Sequence, residues 1–276
     1  MRPFPSRMRR ALVALAVAVL LVAGIGWLYL AGPLGHPPPG CTATLSPAGD
    51  PDGVQSYSMT PQQADSAATI AAVGLKLGMP PHAVTVAIAT ALQESGLYNL
   101  ATGDRDSVGL FQQRPSQGWG TAAQISDPVY AATAFYQRLR QQPNWTRLEV
   151  TQAAQLVQRS AAPEAYAQWE PQARAIAAAL TGEDDATMSC HDLKLGPPAD
   201  YLVTAAKREL GTGNLSGPQP PDRGRALGSW LVAHAARFGI DRVTVDGNTW
   251  TVQSGKWTRT GPPDGLLSLH EVPPPD

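Results

Sequence analysis

The first thirty residues form the most uneven part of the hydrophobic pattern. Residues 11–31 contain no charged side chain, whereas residues 1–10 contain four arginines and no acidic residue. A helix of that length rises about 30 Å, which matches the hydrocarbon core of a bilayer. Because basic residues stay on the cytoplasmic side, the pattern predicts a cytoplasmic tail (1–10), a single transmembrane signal anchor (11–31) and an extracellular remainder.

A cleaved signal peptide is the alternative interpretation of the same segment. Its apolar region would be shorter, about 7–15 residues, and would end in a small-x-small cleavage site. The run here ends in Tyr29-Leu30-Ala31, which favours an uncleaved anchor.

Beyond residue 31, two stretches rich in proline and glycine divide the chain. Residues 32–58 and 183–198 show no apolar period and contain HPPPGC, SPAGDPDG and LGPP, so both are predicted to be linkers. The fold class predicted is a mostly α domain at 59–182, preceded by one transmembrane helix and followed by a small α+β domain at 199–276.

Apolar residues between 59 and 182 recur with helical spacing. Thr60 is a predicted N-cap with Pro61 at the first helical position. After Pro80 a second helix runs through VTVAIATALQES, and because it is apolar on nearly all sides it is predicted to be buried. Further helices are predicted at 127–139, 150–158 and 170–180.

The last segment has a different pattern. An amphipathic helix precedes short alternating runs, which are separated by the turn residues Asp246-Gly247-Asn248 and predict strands. Trp230, Trp250 and Trp257 are interpreted as core residues rather than as a carbohydrate platform.

Cys41 and Cys190 flank the central segment and are the two cysteines of the chain. An exported domain lies in an oxidising compartment, where disulfides persist. We therefore expect a disulfide between them, with two unpaired thiols as the alternative.

Glu94 ends the predicted buried helix. A carboxyl group at the end of an apolar helix is poorly solvated, and burial favours its neutral form. The partly negative C-terminal end of the helix acts in the same direction. A carboxylic acid that stays protonated near neutral pH can protonate a glycosidic oxygen. The simpler interpretation is a glutamate that points into water.

Two motifs lie on either side of a polar loop: Glu94-Ser95 and Gly109-Leu110-Phe111-Gln112. Their order resembles the soluble lytic transglycosylase branch of the lysozyme-like superfamily, in which a Glu-Ser pair ends a buried helix and Gly-Leu-Met-Gln follows a loop. Phe111 replaces the methionine here. The resemblance covers roughly residues 59–182 and implies a lysozyme-like domain in a membrane-anchored cell-envelope protein of Gram-positive, actinobacterial-like type.

The resemblance implies a role for each matching residue. Glu94 would be the catalytic acid/base, and Ser95 would lie in the sugar groove. Gly109, Leu110 and Gln112 would line the floor of that groove, with Gln112 hydrogen-bonded to the glycan. The enzyme would cleave peptidoglycan glycan strands outside the cell membrane, as a lytic transglycosylase or muramidase, and no cofactor is implied.

One segment departs from the family pattern. The usual Ala-Tyr-Asn-Ala-Gly run is replaced by residues 157–160, VQRS, followed by Tyr166 as a candidate sugar contact. This change keeps open a catalytically inactive protein that binds peptidoglycan or serves a structural role in the envelope. In either case the C-terminal domain could contact an envelope protein partner.

The polar loop also contains Asp104 and Asp106. A second carboxylate could activate water and direct the reaction to hydrolysis. The alternative is that both are turn residues, paired with Arg105 or with backbone N–H groups.

The sequence gives little support for a metal site or a nucleic-acid-binding surface. The five histidines are scattered without an i, i+4 pair, so no metal site is predicted. The chain has a net charge of −1, and subtracting the four N-terminal arginines leaves −5 for the rest. The net charge of −1 argues against a general nucleic-acid binder, which needs a basic surface. The mildly acidic exported part suits a soluble ectodomain.

Overall fold

The structure is a computed structural model that describes residues 19, 20, 22, 38–46, 53–183 and 186–273. The chain divides into two compact units, Met1–Pro38 and Pro39–Asp276. The predicted anchor at 11–31 lies outside the described residues, except for Val19, Leu20 and Val22, which are helical. Within the described residues, no helix has both the length and the hydropathy of a membrane span.

Helices dominate the first part of the second unit. They are α1 (Pro61–Lys76), α2 (Pro81–Ser95), α3 (Ala122–Ile125), α4 (Pro128–Arg140), α5 (Val150–Gln158) and α6 (Glu170–Thr181). Short 3-10 helices lie at Pro115–Gln117, Trp145–Arg147 and Pro163–Trp169. Thr60 caps α1 through a reciprocal pair of hydrogen bonds with Gln63. The helices predicted from the apolar spacing are therefore present.

Helix α2 lies at the centre of this helical part. Every residue from Ala83 to Leu92 is buried, and α2 contacts α1, α4, α5 and α6. The burial predicted from its all-round apolar sequence is confirmed. After Leu92 the helix leaves the core, and residues 93–95 of its C-terminal turn are half-buried.

A three-stranded antiparallel sheet occupies both segments that were predicted to be linkers. Its strands are β1 (Gly40–Leu45), β2 (Gln55–Met59) and β3 (Ala186–His191), in the order β2-β1-β3. In β1, buried Cys41, Ala43 and Leu45 alternate with half-buried residues. This period of two is only three repeats long and lies next to prolines and glycines, so the linker interpretation of 32–58 and 183–198 missed it.

The disulfide between Cys41 and Cys190 is present. The two residues lie directly opposite each other on β1 and β3. Helix α6 packs against both strands, so the sulfurs belong to the buried core and the sheet closes over the helices.

Within the described residues, the C-terminal part contains three helices and a second sheet. They are α7 (Leu202–Leu210), β4 (Gly217–Pro218), α8 (Pro221–Ala233), α9 (Ala235–Phe238), β5 (Ile240–Val245), β6 (Asn248–Thr251), β7 (Trp257–Arg259) and β8 (Leu266–Glu271). The sheet is antiparallel, in the order β4-β8-β5-β6-β7. Asp246 and Gly247 both have positive φ in the turn between β5 and β6, which is the geometry of a tight hairpin turn.

The C-terminal part shares its core with the helical part, which differs from the two-domain division expected at 183–198. Helix α8 packs against α1, α6 and β3 as well as β5. Trp230 and Trp250 are fully buried in this common core. Residues 39–276 therefore form one compact unit of mixed α/β structure.

A buried charge cluster joins α1 to the C-terminal helices. The imidazole of His234 lies between two carboxylates, with Nδ1 2.5 Å from Asp65 Oδ1 and Nε2 3.1 Å from Glu209 Oε2. Arg237 donates to the same two carboxylates at 3.2 and 2.9 Å, and the indole of Trp230 donates to Glu209. His234 is fully buried.

The partners of these groups decide their charge. Burial alone would lower the pKa of His234, but the carboxylates of Asp65 and Glu209 raise it above its usual value. Burial alone would raise the pKa of each carboxyl, but His234 and Arg237 together lower both values, that of Glu209 to about 2. The cluster is therefore a set of paired charges at neutral pH.

We expect the disulfide to contribute about 2–5 kcal/mol to stability, because it constrains an unfolded chain over a sequence separation of 149 residues. The double variant Cys41→Ala, Cys190→Ala should lose this amount in urea unfolding of the full chain. Wild type treated with reductant is the control and should behave like the variant. Identical unfolding midpoints with and without reductant would contradict the expectation.

Stability should fall as the pH rises through the folded-state pKa of His234. That pKa is higher than in the unfolded chain, so this stabilisation is complete below about pH 6.5 and is lost above it. The lowered pKa values of Asp65 and Glu209 add a separate loss below about pH 4.

Urea unfolding of wild type between about pH 6 and pH 9 measures the alkaline loss. His234→Gln should flatten that dependence and cost about 3 kcal/mol, because Asp65 and Glu209 each lose one of their two cationic partners and keep only Arg237. An unfolding free energy that stays constant in wild type over this range would rule out the assigned charge state.

Candidate active site

Glu94 lies in the last turn of α2, where the chain leaves the core. Gly96 and Leu97 both have positive φ, and their N–H groups bond the carbonyls of Leu92 and Ala91. Glycine adopts this backbone conformation without steric cost. The sharp ending leaves Glu94 half-buried at the edge of the helical core.

The hydroxyl of Tyr166 donates a hydrogen bond to Glu94 Oε1 at 2.8 Å. Tyr166 itself is fully buried, so it holds the carboxyl from the inside of the molecule. Burial raises the pKa of Glu94, while hydrogen bonds from Tyr166 and Gln158 lower it, and the net shift is upward. The pKa of Tyr166 is raised by burial and by the nearby carboxylate, so its hydroxyl keeps its proton.

The 3-10 helix Pro163–Trp169 is fastened to the end of α2. Besides the Tyr166 contact, Trp169 donates its indole N–H to Gln93 Oε1 at 2.8 Å. Gln168 donates to the same oxygen at 3.1 Å. Two successive side chains of α2, Gln93 and Glu94, are therefore held by one short helix.

The two motifs of the sequence are joined by backbone contacts. Ser95 Oγ donates to the carbonyl of Leu110 at 2.7 Å. Gln158 donates its amide to the carbonyl of Phe111 at 2.9 Å. Gln158 thus connects helix α5 both to this motif and to Glu94.

Leu110 does not line the groove floor in the way that was predicted, whereas the position of Ser95 in a groove stays a prediction. The side chain of Leu110 is fully buried, so it supports the site from below and cannot line a groove floor. The hydroxyl of Ser95 is half-buried and bonded to carbonyls of Leu110 and Ala91. Both residues position the motif, because a side chain committed to the backbone or core offers little to a ligand.

Gly109 and Gln112 shape the loop in front of Glu94. Gly109 has a φ of +81°, and a Cβ there would lie 2.7 Å from the carbonyl of Ile125, so only glycine fits. The side chain of Gln112 donates to the carbonyl of Gly109 at 3.2 Å and packs closely over Gly103. Gln112 is half-buried and retains part of its amide for other contacts.

The loop aspartates have separate environments. Asp106 accepts hydrogen bonds from Arg114 Nε at 2.7 Å and from the Ser116 backbone at 2.8 Å. These bonds hold its pKa well below the usual range. Asp104 is almost fully exposed and lies 3.8 Å from Arg105. Asp106 therefore fastens the loop, through Arg114 rather than through the predicted Arg105.

Glu94 is half-buried at the end of its helix. It does not line the cavities of about 350 and 280 Å³ that lie elsewhere in the described part of the chain. Within the described residues, no group of three or more histidines, cysteines or acidic residues could hold a metal ion.

Sequence reasoning located Gln158 and Tyr166 but did not assign their contacts. Tyr166 was a candidate sugar contact, and its burial places it behind Glu94 instead. The hydrogen bond between Gln93 and Trp169 could not be predicted from the sequence, because 76 residues separate the two partners.

Comparisons with known proteins do not identify a family for this chain. No model of a known protein family matches the chain, and no curated protein matches its sequence significantly.

Tyr166→Phe should raise the pKa of Glu94 further, because the variant removes a donor that stabilises the ionised carboxylate. It should also cost about 1 kcal/mol of stability for the lost hydrogen bond. Carbon NMR titration of isotope-labelled glutamate carboxyls measures the pKa, with the signal assigned through Glu94→Gln.

Tyr98→Phe is the matched control, since the hydroxyl of Tyr98 bonds Thr60 Oγ1 and not Glu94. It should leave the Glu94 titration unchanged. A Glu94 pKa in Tyr166→Phe that equals the wild-type value would contradict the assigned role of the tyrosine.

Proposed function

We propose that this chain cleaves the glycan strands of peptidoglycan, with Glu94 as the general acid and base. The observation that carries the proposal is the environment of Glu94: a half-buried carboxyl with a raised pKa at the surface end of a buried helix, held by a protonated tyrosine. Such a group can donate a proton near neutral pH and remain accessible to a large substrate.

In the proposed reaction, Glu94 transfers its proton to the oxygen of the β-1,4 bond between N-acetylmuramic acid and N-acetylglucosamine. The bond between C1 and this oxygen breaks, and the electron pair stays with the leaving oxygen. Glu94, now ionised, is stabilised by the Tyr166 hydroxyl. It then accepts a proton from the second nucleophile, which is either the 6-hydroxyl of the same sugar or water.

The loop carboxylates favour the transglycosylase route over hydrolysis. Asp106 is committed to Arg114 and Ser116, and Asp104 points into solvent. Neither is arranged as a base that activates water beside Glu94. Assistance by the N-acetyl oxygen of the substrate, followed by attack of the 6-hydroxyl, needs only one protein carboxyl.

The proposed location is the outer face of the cell membrane. The apolar run at 11–31 after four arginines favours a single anchor with the bulk of the chain outside. The disulfide between Cys41 and Cys190 agrees with an oxidising environment. Such an anchor would keep the domain close to the cell wall that it acts on.

A non-catalytic peptidoglycan-binding or structural envelope protein is the second candidate. The replaced segment VQRS at 157–160 favours it, because the family's usual groove wall is missing. The side chains of Leu110 and Ser95 are also committed to internal contacts, which reduces the set of groups available to the glycan.

Glu94→Gln should slow the release of soluble fragments from purified peptidoglycan by at least about a hundredfold, because glutamine cannot donate the required proton. Mass spectrometry of the fragments then separates anhydro ends from reducing ends. We expect anhydro ends from the wild-type full chain.

Glu164→Gln is the matched control, an exposed glutamate on the 3-10 helix that holds Tyr166. It should digest peptidoglycan like wild type. Equal digestion by Glu94→Gln and wild type would refute the catalytic assignment. Retention on peptidoglycan without any product from wild type would instead support the non-catalytic candidate.

A further inference from the structure

A cavity of about 350 Å³ lies in the C-terminal part of the chain. Residues of β3, α8, β5, β6 and β7 line it, together with the turn before β6. This volume lies within the range of small-molecule sites, about 300–1,000 Å³. Neither the proposed catalytic residues nor their supporting contacts belong to its walls.

Trp257 provides a flat aromatic wall. Its indole N–H donates to the carbonyl of Met188 at 2.9 Å, which fixes the orientation of the ring. Trp230 and Trp250 of the same region are fully buried, whereas Trp257 is half-buried and borders the cavity. Trp257 packs against the core, as expected, and of these three tryptophans it is the one that is also partly exposed and borders the cavity.

Polar side chains with unused hydrogen-bonding capacity surround the ring. Within the described part of the chain, the side chains of Thr187, Ser229, Asn248 and Arg259 take part in no hydrogen bond or ion pair. Ser229 is 95% buried, with a relative exposure of 5%, so its hydroxyl lies deep in the wall. Asn248 and Arg259 are directly paired residues on β6 and β7, which brings their side chains to the same place on the sheet.

The charged residues of the cavity lining are Arg225, Arg259 and Asp246. Arg225 is bound to Asp222 at 2.7 Å and to the carbonyl of Gly182. Asp246 accepts a hydrogen bond from the N–H of Gly265 with one carboxylate oxygen, and it lines the same cavity as Arg259. Because Arg225 is already paired and Asp246 offsets the charge of Arg259, the lining has no excess of free cations, which a site for phosphate or another strong anion needs.

We propose that this cavity binds one sugar ring. A pyranose has an apolar C–H face, which packs on an aromatic ring, and a rim of hydroxyls that both donate and accept hydrogen bonds. Trp257 offers the face, and the amide, hydroxyls and guanidinium around it offer donors and acceptors. The residues that line the cavity indicate a sugar as the class of ligand. That the natural ligand is an N-acetylated sugar of the cell wall rests on the proposed function.

Two tryptophan indole signals allow both sites to be observed in one experiment. The indole N–H of Trp257 lies at the cavity, and that of Trp169 lies beside Glu94 through its bond to Gln93. In nitrogen–proton NMR of the full chain in detergent, Trp257→Phe and Trp169→Phe assign the two signals. The probes are the β-1,4 disaccharide of N-acetylglucosamine and, separately, inorganic phosphate.

The disaccharide should shift the Trp257 signal saturably, and phosphate should not. Arg259→Ala and Asn248→Ala should each weaken this binding by about fivefold to tenfold. Arg242→Ala is the matched control, an exposed arginine on the neighbouring strand β5 and outside the cavity lining, and it should bind like wild type.

Three results would overturn the proposal: no Trp257 shift with the disaccharide, a saturable Trp257 shift with phosphate, or unchanged affinity in both Arg259→Ala and Asn248→Ala. A disaccharide that shifts Trp169 and leaves Trp257 unmoved would overturn it while leaving the Glu94 site intact. A saturable Trp257 shift in a chain that releases no fragments from peptidoglycan would support the cavity and count against the catalytic function.

Discussion

The burial of helix α2 is the constraint on which the candidate site depends. Ten successive residues of this helix are buried, and after them the helix leaves the core in its final turn, where Glu94 is half-buried. The apolar surroundings raise the pKa of that carboxyl, and they do so although Tyr166 and Gln158 act in the opposite direction. The site is therefore a consequence of packing: a more exposed helix would end in an ordinary ionised glutamate, and a longer buried helix would hide the carboxyl from any large substrate.

The sequence predicted best what depends on local spacing. Helices such as α1 and α2 have a capping residue or proline at the start and a clear apolar repeat, and both lie where the pattern indicates. The β1 strand was missed because its alternation spans only Cys41 to Leu45 and because nearby prolines and glycines are typical of linkers. Glu94 could be found from its position at a helix end. The Tyr166 contact could not, because it joins residues 72 positions apart and no periodicity encodes such a pairing.

Long-range pairing also explains why residues 39–276 form one unit. The strands on either side of the helical part pair with each other through β1 and β3, and the disulfide joins directly opposed residues. The C-terminal helices are then held to α1 by the cluster around His234. Composition suggested a boundary near 183–198, yet composition reports only the local preference of a segment. The partner that a short strand finds elsewhere in the chain decides whether that segment is a linker or part of the core.

Two glutamates of this chain show how partners decide what burial does. Glu209 is 4% exposed, but His234 and Arg237 neutralise it, and its pKa falls to about 2. Glu94 is more exposed, but its partners are a neutral hydroxyl and a neutral amide, and its pKa rises. Burial raises the pKa of both carboxyls; a nearby cation reverses the effect, whereas neutral donors reduce it without reversing it. Glu209 therefore stays ionised and structural over the whole neutral range. Glu94 is the carboxyl whose proton can be exchanged at the surface, and this difference, rather than burial alone, makes it the candidate for acid–base chemistry.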